Sequence, residues 1–264
     1  MAELSTHTPG SFCWVDLATT DAAAAKAFYS ELFGWTAQDM PAGDAGTYTM
    51  FFKQGKSVCG AYGMNEQMRS QGVPPHWASY VAVDSADQAA ARAKELGAEI
   101  LQPAFDVMTI GRMAVIKDPQ GAVLSLWQPK EDDRTMLVNE PGCWSWNELQ
   151  TTDTAAAKNF YQSLLGWTSE VQKGATGQDY TSFKNGERPA AGMLEIQKEW
   201  GPVPPHWAVY FSVGDLDASL ERLKNLGGSQ DGPTIEMKDF ARFAIVHDPQ
   251  GGHFVLIQML VPTD

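Results

Sequence analysis

The chain is poor in basic residues. Its 264 residues include 19 lysines and arginines against 32 aspartates and glutamates, which gives a formal net charge of −13 at pH 7. Because proteins bind a nucleic-acid backbone through a basic stripe, this balance argues against a nucleic-acid partner. No apolar run reaches the length of about 18 residues that spans a bilayer. We therefore expect neither a nucleic-acid nor a membrane function.

Cysteine is also scarce. The three cysteines, Cys13, Cys59 and Cys143, include no pair with CxxC spacing. The first residues carry neither the basic nor the apolar segment of a secretory signal. An odd number of cysteines without an export signal is typical of reduced core thiols, so we expect a cytoplasmic protein without a catalytic cysteine.

The chain does contain an internal repeat, because the same sequence motifs occur twice along it. VPPHWA at residues 73–78 returns at 203–208, and DPQG at 118–121 returns at 248–251, both 130 residues later. The segment that begins at Asp21, with its Phe-Tyr and Gly-Trp pairs, returns 132 residues later from Asp153. A constant offset along the whole chain indicates internal duplication. We expect two domains, at residues 8–130 and 138–262, joined through the polar stretch 129–134.

Each copy divides again into two similar units. A short strand leads to a capping residue, a helix that ends at Gly, and two or three more strands. The predicted helices cover residues 22–32, 87–96, 154–165 and 216–226. The predicted strands cover residues 12–17, 48–52, 58–62, 77–83, 112–116, 122–128, 144–149, 180–183, 190–195, 207–213, 242–246 and 253–259. DPQG then forms a turn between the last two strands of each copy.

These units resemble the modules of the vicinal oxygen chelate superfamily, which includes glyoxalase I, extradiol dioxygenases and bleomycin resistance proteins. The resemblance rests on the Asp-led helix with Phe-Tyr and Gly-Trp and on DPQG before an apolar strand. It covers nearly all of residues 10–260. It implies an α+β fold of two tandem glyoxalase-like domains, each with two βαβββ modules that form one cupped eight-stranded sheet.

A closer resemblance is to a tandem two-domain glyoxalase-like subgroup of actinobacteria. It rests on GRMAVxxDPQG at residues 111–121 and on the strands WVDL and WNEL. Members of that subgroup are described as glyoxalases, as hydroxylase-like proteins or as accessories in anthracycline-type biosynthesis.

The superfamily usually binds a divalent metal through His and Glu side chains on the cleft strands. In this chain the matching positions hold Trp14, Ala78 and Ser125 in the first copy, and Trp146, Ala208 and Val255 in the second. The fourth position, near residues 60–62 and 192–194, holds no carboxylate. His253 and Glu148 would supply two ligands, fewer than the three that a metal site needs. We expect no metal and no other cofactor.

The cleft strands carry aromatic and acidic side chains instead. Residues two apart on a strand share a face, so Asp16 and Glu148 should face the cleft beside Trp14 and Trp146. We predict that these two acids are catalytic, as a general acid or base with a raised pKa. The other predicted ligand contacts are Tyr48, Tyr80, Arg112, Ser125, Trp127, Tyr180, Tyr210, Arg242 and His253, together with Trp14 and Trp146. In the alternative, Trp14 and Trp146 fill the interior of the small barrels, and the two acids bond to backbone groups or to Arg112 and Arg242.

Three functions stay open. The leading hypothesis is a glyoxalase-like protein that acts on or binds a small aromatic or carbonyl-containing metabolite, as a lyase or a hydroxylase-like enzyme. The second is a metal-free binding or resistance protein. The third is an accessory that holds an aromatic polyketide intermediate for a partner biosynthetic enzyme. Each is compatible with a monomer or a homodimer.

Overall fold

The computed structural model describes residues 2–5, 8–42, 46–130, 135–174 and 177–261. Up to residue 130 the elements are β1 Ala2–Ser5, β2 Phe12–Thr19, α1 Ala22–Phe33, β3 Thr36–Pro41, β4 Thr47–Lys53, β5 Lys56–Gly63, α2 Glu66–Ser70, β6 His76–Ala82, α3 Ala86–Glu95, β7 Glu99–Val107, β8 Gly111–Lys117 and β9 Val123–Pro129. After it they are β10 Thr135–Val138, β11 Trp144–Thr151, α4 Thr154–Leu165, β12 Thr168–Lys173, β13 Asp179–Asn185, β14 Arg188–Glu195, a 3-10 turn at Lys198–Trp200, β15 His206–Ser212, α5 Leu216–Asn225, β16 Ser229–Met237, β17 Ala241–His247 and β18 His253–Met259.

Each copy forms an eight-stranded sheet with the same strand order. In the first copy the order is β3-β4-β5-β2-β6-β9-β8-β7. In the second it is β12-β13-β14-β11-β15-β18-β17-β16. The two modules of a copy meet at an antiparallel pair, where Trp14 lies opposite Tyr80 and Trp146 opposite Tyr210. The predicted α+β class and sheet architecture are confirmed.

The helices begin and end where the sequence marks them. The Asp21 side chain accepts a hydrogen bond from the backbone N–H of Ala24, and Asp153 does the same for Ala156. Gly34 follows α1 with φ of 69°, in the left-handed region that favours glycine. None of the helices in the described part of the chain is long and apolar enough to cross a membrane.

One apolar core is shared by both copies. It contains side chains from α1, α3, α4 and α5 and from the sheet faces that these helices cover. The helix-covered face of each sheet is therefore buried between the copies. Two smaller clusters, around Tyr80 and around Tyr210, lie on the opposite faces. The functional cleft must be sought on those faces.

Two reciprocal hydrogen bonds join the copies. The Tyr29 hydroxyl donates to Oδ2 of Asp248 over 2.8 Å, and the Tyr161 hydroxyl donates to Oδ2 of Asp118 over 2.8 Å. The other oxygen of Asp118 accepts three backbone N–H groups of its own DPQG turn, and that of Asp248 accepts two. Each carboxylate therefore organises its turn and binds the other copy. Burying such a group is tolerable only because its oxygens are satisfied.

The edge strands β3, β7, β12 and β16 were not predicted. Most of their residues are exposed, so they lack the alternation of buried and exposed positions that marks a strand. Pro103 and Pro233 lie where the pairings of β7 and β16 shift register, and proline signals against a strand. Of the predicted linker, residues 131–134 lie outside the described residues.

Replacing Tyr29 by Phe should destabilise the fold. The change leaves Oδ2 of Asp248 without its donor and the indole N–H of Trp77 without its acceptor. At about 1–3 kcal/mol for each buried group left unpaired, we expect the free energy of unfolding to fall by about 2–4 kcal/mol in urea titrations. Tyr161→Phe should cost a similar amount. Tyr62→Phe is the control, because the Tyr62 hydroxyl makes no hydrogen bond to another described residue. Equal stability of Tyr29→Phe and Tyr62→Phe would refute the interface role.

Candidate functional site

The centre of the candidate site is Asp16. Its side chain is on the concave face of β2, in a residue that is 2 % exposed. Oδ2 accepts hydrogen bonds from the hydroxyls of Tyr80, over 3.0 Å, and Tyr48, over 3.2 Å. Oδ1 is buried and has no hydrogen-bond partner among the described residues. The carboxyl group thus presents one fixed oxygen and one available oxygen.

Trp14 fixes the direction of the Tyr48 hydroxyl. The indole N–H of Trp14 donates to the Tyr48 oxygen over 2.8 Å. Since that oxygen accepts from Trp14, its own hydrogen is left to point at Asp16. Residues Trp14, Tyr48 and Asp16 therefore form a chain with a defined donor order. The indole acts as a structural donor besides forming a wall of the cleft.

Burial controls the charge of Asp16. Loss of hydration raises its pKa to about 7, against the opposing effect of the hydrogen bonds from Tyr80 and Tyr48. A carboxyl group with such a pKa exists in both forms near neutral pH. It can therefore accept a proton and return it, as a general base or acid does.

A glycine makes this arrangement possible. A Cβ atom at position 60 would lie 1.9 Å from the Tyr48 hydroxyl, and one at Gly192 would lie 1.9 Å from the Tyr180 hydroxyl. Gly60 is paired with Asp16 in the sheet, so the tyrosine oxygen occupies the space of the missing side chain. The tyrosine and the glycine therefore depend on each other in both copies.

The second copy repeats the pattern with a longer acid, whose oxygens leave no buried acceptor without a partner in the described structure. Oε1 of Glu148 accepts from the Tyr210 hydroxyl over 2.9 Å, and the nearby side chains of Gln150 and Tyr180 favour its charged form. Trp146 donates to the Tyr180 hydroxyl over 3.2 Å. Burial again raises the pKa of the acid, to about 7. Unlike Asp16, Glu148 has no oxygen that is both buried and without a partner in the described structure.

A cavity of about 1770 Å³ opens onto Asp16. The six predicted contacts of the first copy that line it are Trp14, Asp16, Tyr48, Tyr80, Ser125 and Trp127. Tyr62 also lines it and stacks on Tyr48, with ring centroids 6.5 Å apart. Its parity with Gly60 on β5 could have indicated this position.

The cavity extends to the second copy, which the sequence did not predict. Trp200, His206, Asp231 and His253 contribute to its lining, whereas Trp146, Glu148, Tyr180 and Tyr210 do not. His253 lies between the rings of His206 and His247, with centroids 5.2 and 5.4 Å away. It pairs in the sheet with His76 of the first copy. The two copies thus contribute unequally to one large cavity.

Arg112 and Arg242 do not reach the acids. Arg112 binds Asp87 through two hydrogen bonds of 2.6 and 2.9 Å and also contacts Asp106. Arg242 binds Asp217 and Glu236 in the same way. Neither arginine lines the cavity. The alternative in which these arginines neutralise Asp16 and Glu148 is wrong, because tyrosines are the partners that the structure gives the acids.

The three cysteines are buried. Burial raises the pKa of the Cys59 thiol well above its ordinary value and that of Cys143 to about 11. A thiol that stays protonated is a poor nucleophile, which agrees with a structural role.

The positions that would hold a divalent metal do not suit one. Trp14 offers an indole N–H that already donates, Ala78 and Gly60 offer no donor atom, and Ser125 offers only a hydroxyl. The space beside Gly60 is filled by Tyr48. Among the described residues, no group of three or more His, Cys, Asp or Glu side chains could hold a metal ion. The carboxylate of Asp16, two residues from Trp14 on the same strand, supplies too few ligands for such a site by itself.

Comparison with known proteins settles the family. The profile of the Glyoxalase/Bleomycin resistance protein/Dioxygenase superfamily matches residues 11–126 and 145–256, one match in each sheet. The chain belongs to this superfamily. It is 38 % identical over 259 residues to "Putative glyoxylase CFP32" of Mycobacterium tuberculosis, covering 98 % of both chains. It is 35 % identical over 263 residues to "Anthracycline biosynthesis protein DnrV" of Streptomyces peucetius, covering 95 % of this chain and 94 % of that protein.

Solved structures of the superfamily share the fold. The Mn(II)-bound glyoxalase from Novosphingobium aromaticivorans aligns with a TM-score of 0.64 at 17 % identity, over 97 % of this chain and 84 % of that one. The 2,3-dioxygenase LapB from Pseudomonas sp. KL28 aligns with a TM-score of 0.63 at 11 % identity, over 96 % and 93 %. At these identities the likeness establishes the fold alone, so the chemistry must be argued from the residues of this chain.

Replacing Gly60 by Ala should disrupt the candidate site. The new methyl group would overlap the Tyr48 hydroxyl, so Tyr48 must leave Asp16 or the strands must separate. We expect a loss of about 1–3 kcal/mol in unfolding free energy, measured by urea titration. Gly63→Ala, on the same strand with nothing within 4 Å of its added Cβ, is the matched control. If both variants match the unmodified protein, the close packing of Tyr48 on Gly60 is wrong.

Replacing Asp16 by Asn should change how stability depends on pH. The folded carboxyl group has a pKa of about 7, above the ordinary value of 3.8, so between these values the folded state holds a proton that the unfolded state has lost. Stability from this group therefore falls as pH rises from about 4 to 7, by up to about 1.4 kcal/mol per pH unit. Relative to the unmodified protein, Asp16→Asn should gain about 2 kcal/mol between pH 5.5 and 7 in urea titrations.

The same measurement on Asp87→Asn is the control, because Asp87 is exposed and binds Arg112. The hydrogen bonds from Arg112 lower the pKa of Asp87, so its substitution should bring no gain with rising pH. A difference between Asp16→Asn and the unmodified protein that stays constant with pH would contradict the buried, protonated state of Asp16.

Proposed function

We propose that the protein binds a small aromatic, carbonyl-containing metabolite in the cup of the first copy and that Asp16 transfers a proton to or from it. The observation that supports this most is Oδ1 of Asp16, which is buried, has no partner in the described structure and belongs to a cavity-lining residue. A buried acceptor without a partner is costly unless a ligand or water satisfies it. The surrounding tryptophans and tyrosines suit a flat ring system.

The chemistry follows from the two oxygens of Asp16. Tyr48 and Tyr80 hold Oδ2, so Oδ1 can approach an acidic C–H bond next to the carbonyl of a bound ligand. The carboxylate takes the proton, the C–H electron pair forms the new C=C bond, and the carbonyl π pair moves to oxygen, which gives an enolate. Asp16 then returns the proton to carbon. The step conserves atoms and electrons, and a pKa of about 7 favours both directions at neutral pH.

No metal takes part in this proposal. The residues at the metal positions of the fold offer one hydroxyl, no carboxylate and no imidazole, so the polarising group must come from elsewhere in the protein or from the ligand. The Ser125 hydroxyl lines the same cavity and can donate to a developing enolate oxygen.

A second function, binding without chemistry, is supported by the cavity itself. Its volume of about 1770 Å³ exceeds the range of about 300–1,000 Å³ that is usual for small-molecule sites. A relative that covers nearly the whole chain is named for anthracycline biosynthesis. The cavity could hold an aromatic polyketide intermediate for a partner enzyme, with Asp16 as a hydrogen-bonding anchor.

The two functions make different predictions for 2-tetralone, an aromatic ketone with acidic C–H bonds. If Asp16 transfers protons, the protein should accelerate exchange of these hydrogens in D2O, followed by NMR. Asp16→Asn should reduce the enzymatic rate by about 10²- to 10⁴-fold while calorimetry still detects binding. Glu148→Gln is the matched control in the second copy and should keep the rate, because Glu148 does not line the cavity.

Binding of 2-tetralone without exchange would reject proton transfer and leave the binding function. Absence of both would reject the aromatic cup as a ligand site.

Dialysis against EDTA should leave exchange and binding unchanged, and elemental analysis should find far less than one equivalent of metal per cup. Loss of exchange in EDTA, with recovery on adding Mn²⁺ or Zn²⁺, would contradict the metal-free proposal.

A further inference from the structure

The charges that line the large cavity are all of one sign. Five carboxylates contribute to its lining, and no lysine or arginine does among the described residues: Asp16, Glu99, Asp106, Glu199 and Asp231. Glu99 is paired with Lys117, and Asp106 with Arg112 and Lys130. Glu199 and Asp231 have no lysine or arginine partner in the described structure, and the only basic group near Asp231 is the ring of His247, 4.0 Å away. The cavity therefore has a negative potential at its second-copy end.

The histidines at that end are hydrogen-bond acceptors. Nδ1 of His206 lies 2.9 Å from the carbonyl oxygen of Pro204, and Nδ1 of His76 lies 2.8 Å from that of Pro74. A carbonyl oxygen can only accept, so each Nδ1 carries the hydrogen and each Nε2 is left with a lone pair. Nε2 of His206 is buried and has no partner in the described structure.

These rings do not offset the acids at neutral pH. Burial lowers the pKa of His206 and of His76, and burial with the neighbouring His206 and His247 lowers that of His253 to about 3. Neutral imidazoles leave the carboxylate charges in place. The carboxylates of Glu199 and Asp231 and Nε2 of His206, which line this end of the cavity, are thus all acceptors.

We propose that the ligand of this cavity is an amine-bearing aromatic molecule, with its rings in the cup of the first copy and its ammonium group among Glu199, Asp231 and His206 of the second copy. An ammonium group supplies donors only, which complements a set of acceptors. The aromatic lining, which includes Trp14, Trp127 and Trp200, also favours a cation over an anion. This inference rests on the proposed aromatic cup and adds the charge of its ligand.

Three anthracene probes test it, because they share one ring system and differ in charge. They are 9-(aminomethyl)anthracene, a cation at pH 7, 9-anthracenemethanol, which is neutral, and anthracene-9-carboxylate, an anion. We expect the amine to bind about five- to tenfold more tightly than the alcohol, and the carboxylate more weakly than both. Because salt screens charges, the advantage of the amine should shrink between about 20 and about 500 mM salt, whereas the affinity of the alcohol should not fall.

Substitution separates the charge from the rings. Glu199 and Asp231 are exposed at the cavity rim, so Glu199→Gln with Asp231→Asn should keep the fold, as a melting curve will verify. The double variant should bind the amine about as weakly as the alcohol and leave the alcohol unchanged. Glu170→Gln with Glu187→Gln removes two exposed acids outside the lining and should keep the preference.

Each outcome has a distinct meaning. If the alcohol binds and the amine binds no more tightly, the inference is wrong and the aromatic cup stands. If the amine is preferred but the double variant keeps that preference, the assignment to Glu199 and Asp231 is wrong. If none of the probes binds, the aromatic cup itself is wrong and the inference fails with it.

Discussion

The buried hydrogen bond between a tyrosine of one copy and the DPQG aspartate of the other determines how this molecule is assembled. Tyr29 binds Asp248 and Tyr161 binds Asp118, both over 2.8 Å. Each carboxylate also accepts backbone N–H groups of its own turn, so the turn cannot move without losing the bond to the other copy. The two sheets are thereby fixed with their helix-covered faces together. This placement brings second-copy residues such as His206 to the cavity of the first.

The duplicated motifs are mainly the residues of that interface. Besides the tyrosines, the indole N–H of Trp35 donates to the Gly142 carbonyl, and that of Trp167 donates to the Gly10 carbonyl, each over 2.7 Å. Such contacts come in pairs because each copy supplies both halves. The contact between Asn147 and Ser79 breaks this symmetry. Asn147 donates to Ser79 over 2.7 Å, but the residues at the corresponding positions of the other copy are Val15 and Val209, which cannot form a side-chain hydrogen bond. Contact between two second copies would place Asn147 opposite Val209 and leave its amide without a hydrogen-bond partner. This difference therefore favours contact between a first copy and a second copy.

The candidate site shows how a metal-binding fold can carry a different arrangement of polar groups. Where the fold would place ligands, the chain has an indole, a small residue and a hydroxyl, and Tyr48 fills the space beside Gly60. What remains is a carboxyl group whose charge is controlled by burial and two tyrosines. The second copy keeps the acid but surrounds it with Tyr210, Gln150 and Tyr180 and leaves it out of the cavity lining. The copies have therefore kept one architecture while their clefts have diverged.

The sequence by itself determined the duplication, the helices and the central strands, because caps, glycines and apolar alternation are local signals. Strand parity also placed Trp14, Asp16 and Tyr80 on a common face, and Tyr48 was a further predicted contact. The sequence did not determine the edge strands, whose exposed residues show no period. Nor could it predict the ion-pair partners of Arg112, because acids lie within reach both on its own hairpin and on α3. It also could not show that a single cavity is lined by residues from both copies. The shared cavity depends on distances between segments more than 100 residues apart in the chain, such as Trp14 and His206, and only tertiary packing sets such distances.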